Sequence, residues 1–406
     1  MRVLVISATF PPMRSGGSDY VFRLCQYLAE SGVEIHVVTS HIENVVTDPR
    51  MRVYPLMRHW SWLEMPRLLH VVRRCRPAVI DLHFSSLIYN KHPAVTFLPT
   101  VLKRLIPNLR VITHIEGINS VGRLPLLTRA IRKAFTYWVG TRNVDYDYGT
   151  ILRDSDRIIV LSDFHRLILS EHLAGVEGKC VLIPPPPIMP MSMEANGAAR
   201  RRGREALRVA PDEFLIAYYG YLGPGKGIET LFEALHLIAQ HQKKIRLVAV
   251  GGSNEIVLKE VNRPHYVQEL QDLSERLGIA DRITWTGYYP TDSDQASLYL
   301  RGADVCVLPF DAGVYLNNSS FTAAAAHGLP IITTRGEIVE SPFIDRKNVL
   351  LCPPQEPRTL AAAINSLISS PELRQQLGTG ALEMAREWFS WDKAVDRTIE
   401  VFRDDT

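Results

Sequence analysis

Tyr218 to Leu235 reads YYGYLGPGKGIETLFEAL. An apolar run, Phe214 to Tyr219, stops at Gly220. Gly223, Pro224, Gly225, Lys226 and Gly227 follow, and then an amphipathic helix carries Leu231, Leu235 and Ile238 on one face. Glycines let a backbone approach a ligand closely. A helix N-terminus offers free N–H groups and a positive dipole end, and Lys226 adds a mobile point charge. The segment reads either as a phosphate or diphosphate site or as a plain strand–turn–helix joint with a surface lysine. A second glycine-bearing loop, Phe10-Pro-Pro-Met-Arg-Ser-Gly-Gly17, also follows an apolar strand and favours the first reading.

Around these loops, strands and helices alternate. Val3–Ser7 is a continuous apolar strand, and a helix from Ser18 to Ser31 carries Val21, Leu24, Cys25 and Leu28 at helical spacing. Further strands are expected at Glu34–Thr39, Val79–His83, Val111–His114 and Arg157–Leu161. After Pro184-Pro-Pro-Pro187 the pattern restarts, with strands at 214–219, 245–250, 282–285, 305–308, 330–333 and 349–351. The expected class is α/β: two Rossmann-like, doubly wound parallel sheets facing across a cleft. The expected boundaries are 1–187, a linker at 188–204 rich in Met, Gly, Ala and Arg, a second domain at 205–380, and a terminal segment at 381–406. Ligands in such sheets sit at the carboxyl ends of the strands, where Gly16, Gly17 and His114 fall.

The bulk numbers fit this plan. A chain of 406 residues is too long for one core. A net charge of +3 is too mild to argue for a nucleic-acid partner. The five cysteines form no C-x-x-C pair, which suits reduced thiols in a cytoplasmic protein. The N-terminus, MRVLVISATF, reads as a buried strand rather than a signal peptide. No apolar run reaches the roughly 20 residues that span a bilayer.

Seven motifs occur in order: Phe10 to Gly17, Thr113-His114, Gly220 to Gly227, Val250 to Gly252, Trp285 to Tyr288, Ala303 to Pro309, and Ala326 to Ile332. Together they resemble the retaining GT-B glycosyltransferases of family 4. The terminal Trp388-Phe389-Ser390-Trp391 resembles that family's last helix, which returns to the first domain. The resemblance implies transfer of a sugar from a nucleotide diphosphate sugar (UDP- or GDP-linked) to a hydroxyl, in surface polysaccharide or glycolipid assembly. It implies Gly16 and Gly17 beside the donor diphosphate and Lys226 on its phosphates, with Gly220 and Tyr221 in the same loop. Gly251, Gly252 and Tyr288 would lie near the base. His114 would hold a sugar hydroxyl, and Glu116 would orient the acceptor or that histidine. No metal or other cofactor is expected. The D-x-D patterns at Asp145, Asp154 and Asp292 read as solvated or capping residues.

Two positions depart from the family pattern. Tyr221 stands where the family has arginine, and Tyr315 and Ala323 stand where it has paired glutamates. Asn317-Asn318-Ser319-Ser320 precedes the next helix. It reads as a cap, as a diphosphate site through the N–H groups of Asn318, Ser319 and Ser320, or as both. Asp311 is a candidate for a sugar contact. His83 either lines the cleft or packs. Residues 123–142 mix arginines with aromatic residues, so they form either a peripheral membrane contact on the inner face or a sheet-packing helix with a solvated basic face. The acceptor is expected to be a glycan or lipid-linked. The alternatives kept open are a non-catalytic nucleotide-sugar binder and a nucleotide-sugar epimerase.

Overall fold

The computed structural model describes residues 1–403 except 14, 86, 87, 90, 91, 119–126, 128, 129, 131–133, 135–143, 254–257, 259–261 and 290–292. The chain forms two compact units. One is Met1–Pro184 with the segment from Trp391 onward, and the other is Pro185–Ser390.

The first unit holds β1 (Arg2–Ile6), β2 (Glu34–Ser40), β3 (Met51–Met57), β4 (Val79–Phe84), β5 (Arg110–Ile115), β6 (Arg157–Val160) and β7 (Cys180–Leu182). Their order is β3-β2-β1-β4-β5-β6-β7, with every pair parallel. Central strands such as β4 are buried along their whole length, as a sheet covered on both faces requires. The helix Gly16–Glu30 buries Val21, Leu24, Cys25 and Leu28, and Ser15 caps its start by accepting from Ser18 N at 3.1 Å.

The second unit holds β8 (Phe214–Tyr219), β9 (Ile245–Val250), β10 (Ile283–Gly287), β11 (Val305–Leu308), β12 (Ile331–Thr334) and β13 (Leu350–Cys352). Their order is β10-β9-β8-β11-β12-β13, again parallel throughout. In each sheet the order reverses beside one strand. The switch points are β1/β4 and β8/β11, and ligands of open α/β sheets collect at such points.

Three features differ from the sequence expectation. Strands β3 and β7 lie outside the expected set; β3 contains Pro55 and lies at a sheet edge, where a missing N–H is tolerated. The expected linker contains a helix, Asn196–Ala206, that belongs to the second unit. Its Arg204 is buried and donates to Gly302 O at 3.1 Å and Ala210 O at 2.6 Å, while pairing with Asp304 at 3.3 Å. A Cβ on Gly203 would overlap the Leu298 carbonyl, so glycine permits the close crossing with helix Gln295–Gly302. The third difference is at the terminus. Helix Pro371–Trp388 runs through position 381, and the break falls at Phe389–Ser390. Phe389 packs edge-on to Phe321 at 6.2 Å, whereas Trp391 stacks on Tyr27 at 4.6 Å.

Candidate functional site

In the second unit, β8 gives way to a loop whose glycines are forced. Gly220, Gly225 and Gly227 take φ of 135°, 82° and 69°. A Cβ on Gly220 would overlap Ser320 Oγ, and one on Gly227 would overlap the Pro309 carbonyl. The loop is therefore pressed against the end of β11 and the start of helix Ser319–Ala326. Gly251, at φ 128°, packs on the Gly220 carbonyl, and its N–H donates to Thr286 Oγ1 at 3.1 Å. A Cβ on Gly252 would lie 3.3 Å from Tyr288 N, and Tyr288 stacks on Tyr289 at 6.2 Å. Gly220, Tyr221, Lys226, Gly251, Gly252, Tyr288 and Ser320 thus gather at the carboxyl ends of β8, β9 and β10.

Lys226 follows from this placement. Its ammonium lies 5.3 Å from the Phe310 ring centroid, and desolvation holds its pKa below the usual lysine value. It has no carboxylate partner among the described residues. Nearby, Asn318 is the N-cap of Ser319–Ala326 yet makes no capping bond; its Oδ1 accepts from Tyr315 N at 2.6 Å instead. The cap residue's side chain thus leaves the first N–H groups of that helix uncapped. An uncapped helix start beside a desolvated, unpaired ammonium is a cradle for a polyanion. The two positions that lack the family glutamates are buried: Tyr315 is 8% exposed and Ala323 0%. Asp311 donates its N–H to Gly225 O at 3.0 Å and so sits against the same loop.

In the first unit, Asp81 and His83 on β4 share one face of the sheet, as do His114 and Glu116 in β5 and the residue just beyond it, and His83 pairs in register with His114. His114 Nδ1 meets Asp81 Oδ1 at 2.8 Å, and His83 Nδ1 meets Glu116 Oε1 at 2.8 Å. Asp81 Oδ2 lies 3.3 Å from His83 Nε2. His114 was expected to touch a ligand, but its side chain is wholly enclosed at 0% exposure. Glu116 was expected to orient the acceptor or His114; its Oε1 hydrogen-bonds His83 rather than His114. Glu116 Oε2 instead faces the glycine loop, 2.8 Å from where a Cβ on Gly17 would be. Gly16 has open space at that position. Asp81 escaped the sequence reading, although the period-two spacing Asp81-Leu-His83 was a signal for it.

Four further expectations are placed as follows. Asp145 Oδ1 accepts from Asp147 N at 2.7 Å while its Oδ2 pairs with His172 at 2.9 Å, and Asp154 pairs with Arg153 at 2.7 Å and accepts from Thr100 Oγ1, so each ties its turn to a distant element. Asp292 lies outside the described residues. So does 123–142, apart from Leu127, Ala130 and Ala134.

Two Rossmann-like parallel-sheet units of this kind define the GT-B class. Residues 199–384 match the family described as Glycosyl transferases group 1, and residues 14–186 match Glycosyltransferase Family 4. The chain belongs to these glycosyltransferases. A D-inositol 3-phosphate glycosyltransferase of Segniliparus rotundus is 25% identical over 63% of this chain and 54% of its own length. One from Xylanimonas cellulosilytica is 27% identical over 51% of this chain and 46% of its own length. The chain thus spans about half the length of these curated relatives. A GDP-mannose-dependent alpha-(1-6)-phosphatidylinositol monomannoside mannosyltransferase of Mycobacterium tuberculosis is 24% identical over 100% of this chain and 98% of its own length. Among solved structures, sucrose-phosphate synthase of Thermosynechococcus elongatus has the same fold (TM-score 0.73, 20% identity, 99% and 98% coverage). So does Anabaena Alr3699/HepE, solved with UDP and glucose (TM-score 0.71, 15% identity, 100% coverage of both chains). Among the described residues, no helix is long and apolar enough to cross a membrane.

Proposed function

We propose that the protein transfers a hexosyl group from a nucleoside diphosphate sugar to an acceptor hydroxyl with retention of configuration. The observation that carries this is the cradle at the β8/β11 switch point: Lys226 without a carboxylate partner among the described residues, glycines whose places admit no Cβ, and an uncapped helix start at Ser319 and Ser320. As the bond from the sugar C1 to the diphosphate breaks, charge builds on the leaving phosphate. Lys226 and the helix N-terminus stabilise it from fixed positions. The acceptor oxygen forms the new bond on the same face, and its proton passes to the leaving phosphate oxygen. The step needs no side-chain base and no metal ion. Within the first unit, the glycine loop at Gly16 and Gly17 leaves Glu116 Oε2 turned to a ligand that approaches that loop. Tyr288, with the backbone of Gly251 and Gly252, borders the base.

The donor is a UDP- or GDP-sugar, a reading supported by the GDP-mannose-dependent relative and by the fold neighbour solved with UDP. The acceptor is a glycan or a lipid-linked glycan at the cytoplasmic face of the membrane, in surface polysaccharide or glycolipid assembly. The phosphatidylinositol mannosyltransferase relative supports the lipid-linked choice. Incubation with radiolabelled UDP- and GDP-sugars and lipid extracts tests this; sugar appearing in lipid or polymer supports it, and donor bound but never consumed counts against it.

One observation favours a second reading, a non-catalytic nucleotide-sugar binder. Tyr315 and Ala323 are packed away, so the two family glutamates have no replacement at their own positions. Binding without release of sugar is the result that reading requires. Conversion of donor without any acceptor would point instead to an epimerase.

A further inference from the structure

Four ionisable side chains stand in one chain at the carboxyl ends of β4 and β5, next to the β1/β4 switch point. The order is His114, Asp81, His83, Glu116, with successive contacts of 2.8, 3.3 and 2.8 Å. The two imidazoles stack, centroids 4.4 Å apart and planes 10° apart. Asp81, His83 and His114 have no exposed side-chain surface, and Glu116 alone reaches outward. Its Oε1 is taken by His83, and its Oε2 is turned to Gly17.

The charges in the row are ordered. Burial opposes a charge on His83, but the carboxylates of Asp81 and Glu116 on either side push its pKa up to about 10. Burial holds His114 below the usual histidine value, opposed by Asp81 and reinforced by the His83 cation. Burial alone would raise Asp81, yet the two imidazoles hold it well below the usual carboxylate range. Among the described residues, the other titratable groups facing the row are Tyr20 and Cys25 from helix Gly16–Glu30 and Tyr89 from the segment after β4. Burial raises all three, so they stay neutral. The row is therefore an anion, a cation and an anion, ended by a neutral imidazole. Buried ion pairs are a poor way to stabilise a sheet compared with the Val, Ile and Leu that fill the rest of β4 and β5. What such a row does well is fix one carboxylate, because charge-assisted bonds to an ionised partner are short and directional.

We propose that Asp81, His83 and His114 form a buried positioning relay for Glu116, and that Glu116, not His114, presents its Oε2 to a hydroxyl of the bound sugar. This rests on the transferase reading given above. His83 holds Glu116 by a direct hydrogen bond, Asp81 faces His83 as an ion partner at 3.3 Å without a hydrogen bond between Oδ2 and Nε2, and His114 bonds the far oxygen of Asp81. His114 acts only through the row. The enclosed His114 Nε2 has no hydrogen-bond partner among the described residues, which suits a residue that orients and does not touch.

The full chain is tested as wild type and as Glu116→Gln, His83→Asn and His114→Asn. Binding of UDP or GDP alone is measured by calorimetry, transfer is measured from the matching nucleotide sugar, and the histidine ring nitrogens are followed by NMR across pH. The expected result is that Glu116→Gln and His83→Asn lower transfer kcat/KM by about ten- to a hundredfold, the loss of one charged hydrogen bond, with nucleoside diphosphate affinity unchanged. His114→Asn lowers transfer less than Glu116→Gln does. In wild type, His83 carries both ring protons at neutral pH, and in Glu116→Gln it titrates lower. A larger loss in His114→Asn than in Glu116→Gln would overturn the assignment. A neutral His83 in the wild type at neutral pH would overturn the relay even if a variant failed to fold. Failure of wild type to bind any nucleoside diphosphate would overturn the transferase reading and the sugar contact, while the His83 titration would still report on the row.

Discussion

The Lys226 ammonium lies over the face of the Phe310 ring, 5.3 Å from its centroid, at the carboxyl ends of neighbouring strands β8 and β11. The ring contact holds the cation in place without neutralising it. A polyanion arriving at the loop finds a positive charge already oriented and poorly solvated.

Replacing that charge has a defined cost. Lys226→Ala weakens nucleoside diphosphate binding by about 1.5–3 kcal/mol, the range for a hydrogen bond to a charged group. The pH dependence follows from the lowered pKa of free Lys226. Bound phosphate raises it, so affinity is full below the free-state pKa and falls as pH rises through it. Calorimetry at several pH values checks both; an unchanged affinity in Lys226→Ala places the phosphate elsewhere.

Gly227→Ala strikes the backbone. The position has φ 69°, and a Cβ would overlap the Pro309 carbonyl, which cannot swing aside as a side-chain tip does. Strain of this backbone type costs on the order of 1–3 kcal/mol, and the overlap adds to it. Urea unfolding of the variant should show lower stability and weaker nucleotide binding together.

Gly17→Ala is different in kind. Its Cβ would meet Glu116 Oε2 at 2.8 Å, a side-chain oxygen rather than a backbone atom. The variant should melt near the wild-type temperature, yet transfer sugar more slowly because Glu116 is displaced. A variant with wild-type kcat/KM would mean that the carboxylate position does not matter.

Stability should fall on both sides of neutrality. Burial lowers His165 and His327 to about 4 from 6.5, so their contribution is complete above about 6.5 and is lost as pH drops towards 4. His83 is raised to about 10, so its contribution is complete below 6.5 and is lost as pH rises through 10. Melting temperature against pH should show both limbs, and His83→Asn should flatten the alkaline one.

Arg204→Ala should destabilise the second unit by about 1–3 kcal/mol, the cost of leaving a buried acceptor without its donor. The loss leaves the Ala210 carbonyl without Arg204, while Arg200 still pairs with Asp304 at 2.6 Å and donates to Gly302 O at 3.3 Å. Chemical denaturation reads it directly, and a change within about 0.5 kcal/mol, the usual range for surface substitutions, would make 196–206 a linker after all.

Much of the plan was legible because parallel strands buried on both faces must be continuous apolar runs. Phe214–Tyr219 and Val305–Leu308 show this plainly. Edge strands need not obey it: β3 carries Arg52 and Pro55, and β7 has only three residues. The helix Asn196–Ala206 was hidden by its basic run, since an arginine that snorkels or buries its head looks like a solvated one in sequence. Lys226 and its glycines were readable because positive φ and close approach demand glycine. The row behind Glu116 was not, because Asp81 and His114 are 33 residues apart and only the β4/β5 register joins them.

The central claim is that the cradle at Lys226 binds the diphosphate of a sugar donor. A thermal-shift panel with UDP, GDP, ADP, dTDP and CMP tests it most directly, because a ligand that binds only the native state raises the melting temperature. A clear rise with UDP or GDP, absent in Lys226→Ala, is the predicted result. No shift with any nucleotide would contradict the claim and leave Tyr221, Tyr315 and Ala323 as marks of a site that has lost its ligand.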